Sequence, residues 1–152
     1  MKVQSAMVFL GSVLLTACSS GGATPESGST QELTPCPRSP NCVSTEAADP
    51  EHGIAPLEYK GGTDRQVARA ATMEALVRTV EGMKRTRIVR RNDTYLHAEY
   101  RSLLGFVDDV EFLLDDGSGT VRFRSASRVG YSDLGVNRKR MERFRELYDA
   151  LP

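Results

Sequence analysis

A chain of 152 residues with 39% hydrophobic and 26% charged side chains is sufficient for one globular domain of ordinary composition plus an additional segment. Lys and Arg number 20 against 20 Asp and Glu, a formal net charge of +0 at pH 7. That balance excludes a nucleic-acid binder working by bulk charge.

The additional segment is at the front. Lys2 supplies a short positive region, Val3 to Leu15 (VQSAMVFLGSVLL) is apolar, and Leu15-Thr16-Ala17-Cys18 ends it with small residues directly before a cysteine. The apolar run is shorter than the roughly 20 residues of a membrane span and has the order of a secretory signal. It predicts a lipoprotein signal peptide over residues 1–17, with Cys18 acylated (palmitate among its acyl chains) as the mature N-terminus. The lipid on Cys18 would then hold the protein on a membrane of the cell envelope, each buried CH₂ contributing ~0.8 kcal/mol. Ser19 after the cysteine favours the outer membrane, facing the periplasm, in a Gram-negative host. Residues 18–35, the lipidated cysteine and then SSGGATPESGSTQELTP, read as a flexible tether with almost nothing to bury. The remainder, residues 36–152, is expected to be a single α+β domain.

Loss of the signal peptide removes one lysine and leaves a net charge of −1, unevenly spread. Eight basic residues lie between Arg122 and Arg145 against Asp133 and Glu142, whereas Glu46 to Glu58 holds four acids and no Lys or Arg. A basic patch follows. In CPRSPNC, five residues separate Cys36 from Cys42, and in an oxidising compartment this spacing predicts a small disulfide loop. A redox pair usually has two intervening residues, and a zinc site needs further ligands, of which only His52 is near in sequence.

After a turn-rich stretch from Val43 to Pro56, Leu57 to Lys60 reads as a short edge strand. Thr63 and Gln66 have capping-box spacing, so a helix is expected to start there and end near Gly82. Its apolar stripe is expected from Val67, Ala70, Ala71, Met73, Val77, Val80 and Met83. Strands follow at 87–91 and 94–102; in the second, Leu96, Ala98 and Tyr100 point to the core and Tyr95, His97, Glu99 and Arg101 to water. FVDDVEFLL (106–114) and TVRFRSASR (120–128) flank a turn. With Gly117-Ser118 as the loop, residue i pairs with 235 − i: Phe112 with Phe123, Glu111 with Arg124, and Asp108 with Ser127 on the apolar face, where a carboxylate needs a partner. Asp109 then lies diagonal to Arg124 and Arg128. The last helix is expected from Val136 to Leu151, with Met141, Phe144, Leu147, Tyr148 and Leu151 inward. The predicted fold is α+β: an antiparallel meander sheet of about four to five strands with two helices packed on one face.

The segment RSASRVGYSDLGVNRKR, from Arg124 to Arg140, joins the last strand to that helix. Glycines, Arg128, Asn137 and Arg138 around a helix N-terminus suit an oxyanion such as phosphate, sulfate or carboxylate. The same residues can instead hold the fold, with Asp109, Glu111 and Asp133 pairing the arginines and Asp133 capping the helix. Candidate ligand-binding residues are Asp109, Glu111, Arg124, Ser127, Arg128, Ser132, Asp133, Asn137 and Arg138. Asp109 and Glu111 share a strand face and could serve a hydrolase, although Arg124 competes for them, and no Gly-x-Ser-x-Gly elbow accompanies them. No catalytic residue, metal ligand or cofactor is assigned.

CPRSPNCVST at residues 36–45, and FVDDVEF followed by RSASRVGYSDLGVNRKR, resemble the bacterial and plastid family called domain of unknown function family 1499, over nearly all of residues 36–148. The family brings no established activity. The resemblance implies that Cys36, Cys42, Asp108, Asp109, Glu111, Arg124, Ser125, Ser127, Arg128, Ser132, Asp133, Asn137 and Arg138 occupy motif positions. The expected function is that of an envelope lipoprotein binding an anionic or polar small molecule or an envelope protein partner. The competing readings are an envelope hydrolase using Asp109 and Glu111, and a purely structural lipoprotein.

Overall fold

A computed structural model describes residues 31–152; the expected signal peptide, the expected lipidation site Cys18 and most of the expected tether lie outside the described residues. The elements in chain order are β1 (Cys42–Ser44), β2 (Leu57–Glu58), α1 (Arg65–Gly82), β3 (Thr86–Arg91), β4 (Tyr95–Arg101), β5 (Val107–Asp115), β6 (Thr120–Ser127) and α2 (Val136–Asp149). Strands β3 to β6 form an antiparallel meander in the sheet order β1-β6-β5-β4-β3. β1 and β2 both pair with the outer edge of β6, Val43 opposite Ser125 and Leu57 opposite Val121. Both helices cover one face of the sheet and contribute to a single core with its strands. The fold is α+β, as expected.

The β5–β6 register is the predicted one, with Phe112 opposite Phe123, Glu111 opposite Arg124 and Asp108 opposite Ser127. The loop is longer than expected: residues 116–119 form it, closed by the Gly119 amide on the Asp115 carbonyl at 2.8 Å. Gly119 has φ 71°, a left-handed conformation that glycine adopts without steric cost. Parity had to hold, because a shift by one residue would send two phenylalanines into water and two charges into the core. Phe112 and Phe144 pack with ring centroids 4.8 Å apart, and Phe123 and Tyr148 extend the aromatic cluster.

Four expectations need correction. The α1 cap is Asp64, whose carboxylate accepts the Val67 amide at 3.0 Å, in place of Thr63. The buried stripe of α1 is Ala68, Thr72, Met73, Ala75, Leu76, Thr79 and Val80, and Val67 is exposed. Apolar residues occur all around this helix, so periodicity does not single out one side, and the side that is buried carries two threonines whose hydroxyls are hydrogen-bonded: Thr72 accepts the Lys60 amide and Thr79 donates to the Ala75 carbonyl. β1 falls in a stretch read partly as irregular; three residues are too few for alternation to register in the sequence. Finally, packing begins before Cys36. Leu33 is buried on Tyr95 and Leu113, so Tyr95 on the open face of β4 is covered rather than wet.

Cys36 and Cys42 form a disulfide with Cα atoms 5.7 Å apart, holding the segment after Leu33 to the start of β1. Closing this small loop contributes about 2 kcal/mol by restricting the unfolded chain. Reduction should therefore lower the unfolding free energy by about that amount, and alkylation of the unreduced protein should find neither thiol; full modification of both would contradict the bridge.

Candidate functional site

The residues selected from the sequence separate onto the two faces of the sheet and the loop at its end. Asp109, Glu111, Arg124 and Arg128 lie on the open face, away from the helices. Cross-strand pairing puts Arg87, Glu99 and Asp109 in one row and His97, Glu111 and Arg124 in the next. Arg128, just past β6, reaches back over them: Nε donates to Asp109 Oδ2 at 2.7 Å, and Nη2 donates to Asp109 Oδ1 at 2.8 Å and Glu99 Oε1 at 2.7 Å. Arg87 Nη2 donates to Glu99 Oε2 at 2.9 Å, and Arg101 Nη2 stands 3.6 Å from the same oxygen. Three guanidinium groups thus converge on one carboxylate.

Most of the remaining polar atoms of this face are also engaged. His97 Nε2 is 2.8 Å from Asp109 Oδ1, and the Tyr95 hydroxyl donates to Glu111 Oε1 at 2.5 Å. Arg124 Nη1 is 3.6 Å from Glu111 Oε2, rather than bridging to Asp109, and its Nε is buried without a partner. The Arg128 guanidinium, then Arg87, holds the Glu99 carboxyl below the usual carboxylate range, against the opposing effect of burial. Arg128 does the same for Asp109, with His97 adding to it. Burial and the Glu111 carboxylate push the Tyr95 phenol above its ordinary value. A general acid or base works best with a pKa near the operating pH, so an Asp109 that remains ionised and doubly bonded is poorly suited to proton transfer.

Ser127, Asp133 and Asn137 lie toward the helix side. Asn137 is 1% exposed. Its Oδ1 accepts from Ser125 Oγ at 2.5 Å and Arg140 Nη1 at 2.8 Å, while Nδ2 donates to the Asn41 carbonyl at 3.0 Å, Ser127 Oγ at 3.1 Å and Asp133 Oδ2 at 2.6 Å. Asp108, the carboxylate whose position required a partner, is paired with Arg140, both side chains at most 10% exposed. Arg140 comes from a helix position that periodicity does not mark as inward, since guanidinium groups normally face water.

The α2 N-terminus is occupied by the protein's own carboxylate. Asp133 Oδ1 accepts the Gly135 amide at 2.9 Å and Oδ2 accepts the Asn137 amide at 2.7 Å, the capping role that the sequence offered beside an oxyanion ligand. Arg138 Nη2 donates to the carbonyls of Glu51 at 3.0 Å and Gly53 at 2.9 Å, and Ser132 Oγ accepts the Leu134 amide at 3.2 Å. Between this loop and the disulfide lies a cavity of about 220 Å³ lined by Pro40, Cys42, Glu51, Ser132, Asp133 and Arg138. Its lining holds two carboxylates and one cation, a poor electrostatic match for an anion. Asp49, Glu51 and His52 bring possible ligand atoms within 4.8 Å of one another. However, His52 Nδ1 is bonded to Asp49 at 2.8 Å and Nε2 to the Ser39 carbonyl at 3.2 Å, so both ring nitrogens already brace the turn.

Glu99, Arg87, Arg101 and Arg140 belong to these clusters and were not among the candidates. Arg87 meets Glu99 through the β3–β4 register, which shifts between Ile88 and Arg90, and Asp109 with Arg128 meets it through β4–β5, where no short turn signature lets pairing be counted from the sequence. Among the described residues, no helix is long and apolar enough to cross a membrane. A family model whose description is protein of unknown function, DUF1499, matches residues 32–147. No curated protein and no solved structure matches the chain.

Removal of one member of a buried ion pair leaves the other charge uncompensated, at a cost of about 3–5 kcal/mol. Arg140→Met should destabilise by that amount in urea unfolding, and Asp108→Asn in the same chain should recover much of it; equal stability of Arg140→Met and the parent would show the pair to be dispensable. The pH dependence has a definite sign. Glu99 and Asp109 have folded-state pKa values below their unfolded ones, so their stabilisation is present above the unfolded value near 4 and is lost as pH falls through the depressed range. The urea midpoint should therefore fall below about pH 4, less steeply in Arg128→Ala; identical acid limbs would remove Arg128 from that role.

Proposed function

The chain belongs to the DUF1499 family, whose description states no activity; we propose that it is a membrane-anchored lipoprotein of the cell envelope whose domain is a binding module for an anionic or polar ligand or an envelope partner. The anchor reading rests on Lys2, the apolar run from Val3 to Leu15, and Leu15-Thr16-Ala17-Cys18. The Cys36–Cys42 disulfide fits an oxidising compartment beyond the cytoplasmic membrane. In a Gram-negative host the location would be the outer membrane, on its periplasmic side.

The observation that carries the binding reading is the cationic excess around Glu99. The side chains of Arg87, Arg101 and Arg128 are 66%, 55% and 44% exposed, whereas that of Glu99 is 6% exposed. Glu99 and Asp109 together cannot neutralise the three guanidinium groups, so the cluster retains positive charge and free N–H donors in a geometry suited to oxyanions. The hydrolase reading has less support, because Asp109 is bonded to Arg128 and His97, and Glu111 to Tyr95. The structural reading draws support from Ser127, Asp133, Asn137 and Arg138, whose side chains are bonded within the fold.

The test is a thermal-shift screen of residues 19–152 against inorganic phosphate, glycerophosphate, peptidoglycan fragments and divalent metals, with Arg87→Ala and Arg101→Ala alongside. A ligand at ~100 times its dissociation constant should stabilise by about 2.7 kcal/mol, and the shift should disappear in both variants. No shift with any compound would favour the structural reading, and a metal-dependent shift lost in Asp109→Asn would favour the hydrolase.

A further inference from the structure

Apolar side chains remain exposed at one end of the domain. Of the nine large hydrophobic residues that are exposed among the described residues, seven belong to two loops and the start of α2. Leu103, Leu104 and Phe106 are in the β4–β5 turn; Val129, Tyr131 and Leu134 are between β6 and α2, and Val136 follows them. Leu103, Leu104 and Leu134 are each at least 83% exposed. The loops are neighbours, since the Arg128 amide donates to the Val107 carbonyl at 3.1 Å where the second begins and the first ends. Leu134 has φ 55°, in the left-handed region that leucine rarely occupies. An apolar cluster of this kind marks a surface that leaves water in use.

The charge around it identifies what it meets. Lys84 and Arg85 follow α1 at the same end, where the Arg101 amide donates to the Arg85 carbonyl at 2.9 Å. Lys139 in the first turn of α2 completes an exposed cationic rim with Arg101. The carboxylates of this region are mostly drawn inward: Asp108 to Arg140, Asp109 and Glu99 to Arg128, and Asp133 to the helix cap. Glu81 in the last turn of α1, Glu142 in the second turn of α2 and Glu51 beside Ser132 are the exposed acids bordering this side. Apolar tips ringed by Lys and Arg complement a bilayer interface that carries negative headgroups.

We propose that this end of the domain docks on an anionic lipid surface, with the apolar side chains of the two loops entering the headgroup layer and the cationic rim contacting lipid phosphates. The inference rests on the proposed envelope location for its setting but on different residues from the anchor. The tether permits it. Leu33 packs on Tyr95 and Leu113, at the far end of the strands from the apolar loops. The chain from Cys18 to Leu33 can extend about 50 Å, longer than the roughly 30 Å of a nine-residue strand. The docking end can therefore turn toward the membrane that holds the lipid.

The test uses residues 19–152, which contain the whole described core and lack the acyl cysteine. The protein has no tryptophan, so Leu134→Trp supplies a single fluorescent reporter. Flotation and a blue shift are expected with vesicles of phosphatidylglycerol and phosphatidylcholine, and not with phosphatidylcholine alone. Binding should weaken in about 0.5 M NaCl. In that reporter background, Leu103→Ser with Leu104→Ser, and separately Lys84→Glu with Lys139→Glu, should each reduce affinity about tenfold or more without changing the melting temperature, because these side chains carry no core packing. Absence of flotation with anionic vesicles, or unchanged binding in both double variants, would overturn the proposal. Self-association abolished by the leucine variant, without vesicle binding, would overturn it in favour of a protein contact. Mass spectrometry of the full chain for acylated Cys18 tests the anchor separately, so an unmodified cysteine and a failed vesicle experiment are distinguishable outcomes.

Discussion

The side chain of Asn137 is the junction on which this structure depends. A buried amide has two acceptor positions and two N–H groups to satisfy, and leaving any of them unbonded costs more than a typical hydrogen bond contributes. Here Ser125, Arg140, the Asn41 carbonyl, Ser127 and Asp133 satisfy all of them. Those partners come from β6, α2, the end of the disulfide loop and the β6–α2 connection. None of these segments can shift without breaking a bond in a site that water does not reach. Arg140 continues the network to Asp108 on β5.

That network changes the meaning of the long basic motif. Read along the chain, Arg124 to Arg140 is a concentration of positive charge at a helix start, a pattern that suits anion capture. In three dimensions its charges are dispersed. Arg124 and Arg128 lie on the open face over Glu111, Asp109 and Glu99; Arg140 turns into the core; Arg138 ties down the loop at residues 51–53. The helix N-terminus has Asp133 in place of a ligand. What remains free for function is the outer ring of cations on the sheet and at its apolar end, including several from outside the motif.

The two exposed surfaces are continuous, because Arg101 and Arg128 border both the Glu99 cluster and the loops that carry Leu103 and Leu134. A ligand held on the sheet face would therefore lie beside whatever the loops contact. The opposite end differs in kind. There Asp116 accepts from Tyr59 and Arg69, and Lys60 donates to the carbonyls of Asp149 and Leu151, so the charges are spent internally.

The sequence by itself determined the α+β class, most of the strands, both helices, the β5–β6 register and the disulfide. Each of these rests on local periodicity, a turn signature or residue spacing, which the linear order preserves. It also identified Asp108 as a carboxylate in need of a partner. Tertiary structure alone decided that the partner is Arg140, that α1 buries its threonine-bearing side, that Leu33 covers Tyr95, and that Glu99 gathers three arginines. Those outcomes depend on contacts between segments far apart in the chain, where the rotation of a helix or the register across a turn of no fixed type is set by the packing of all elements together.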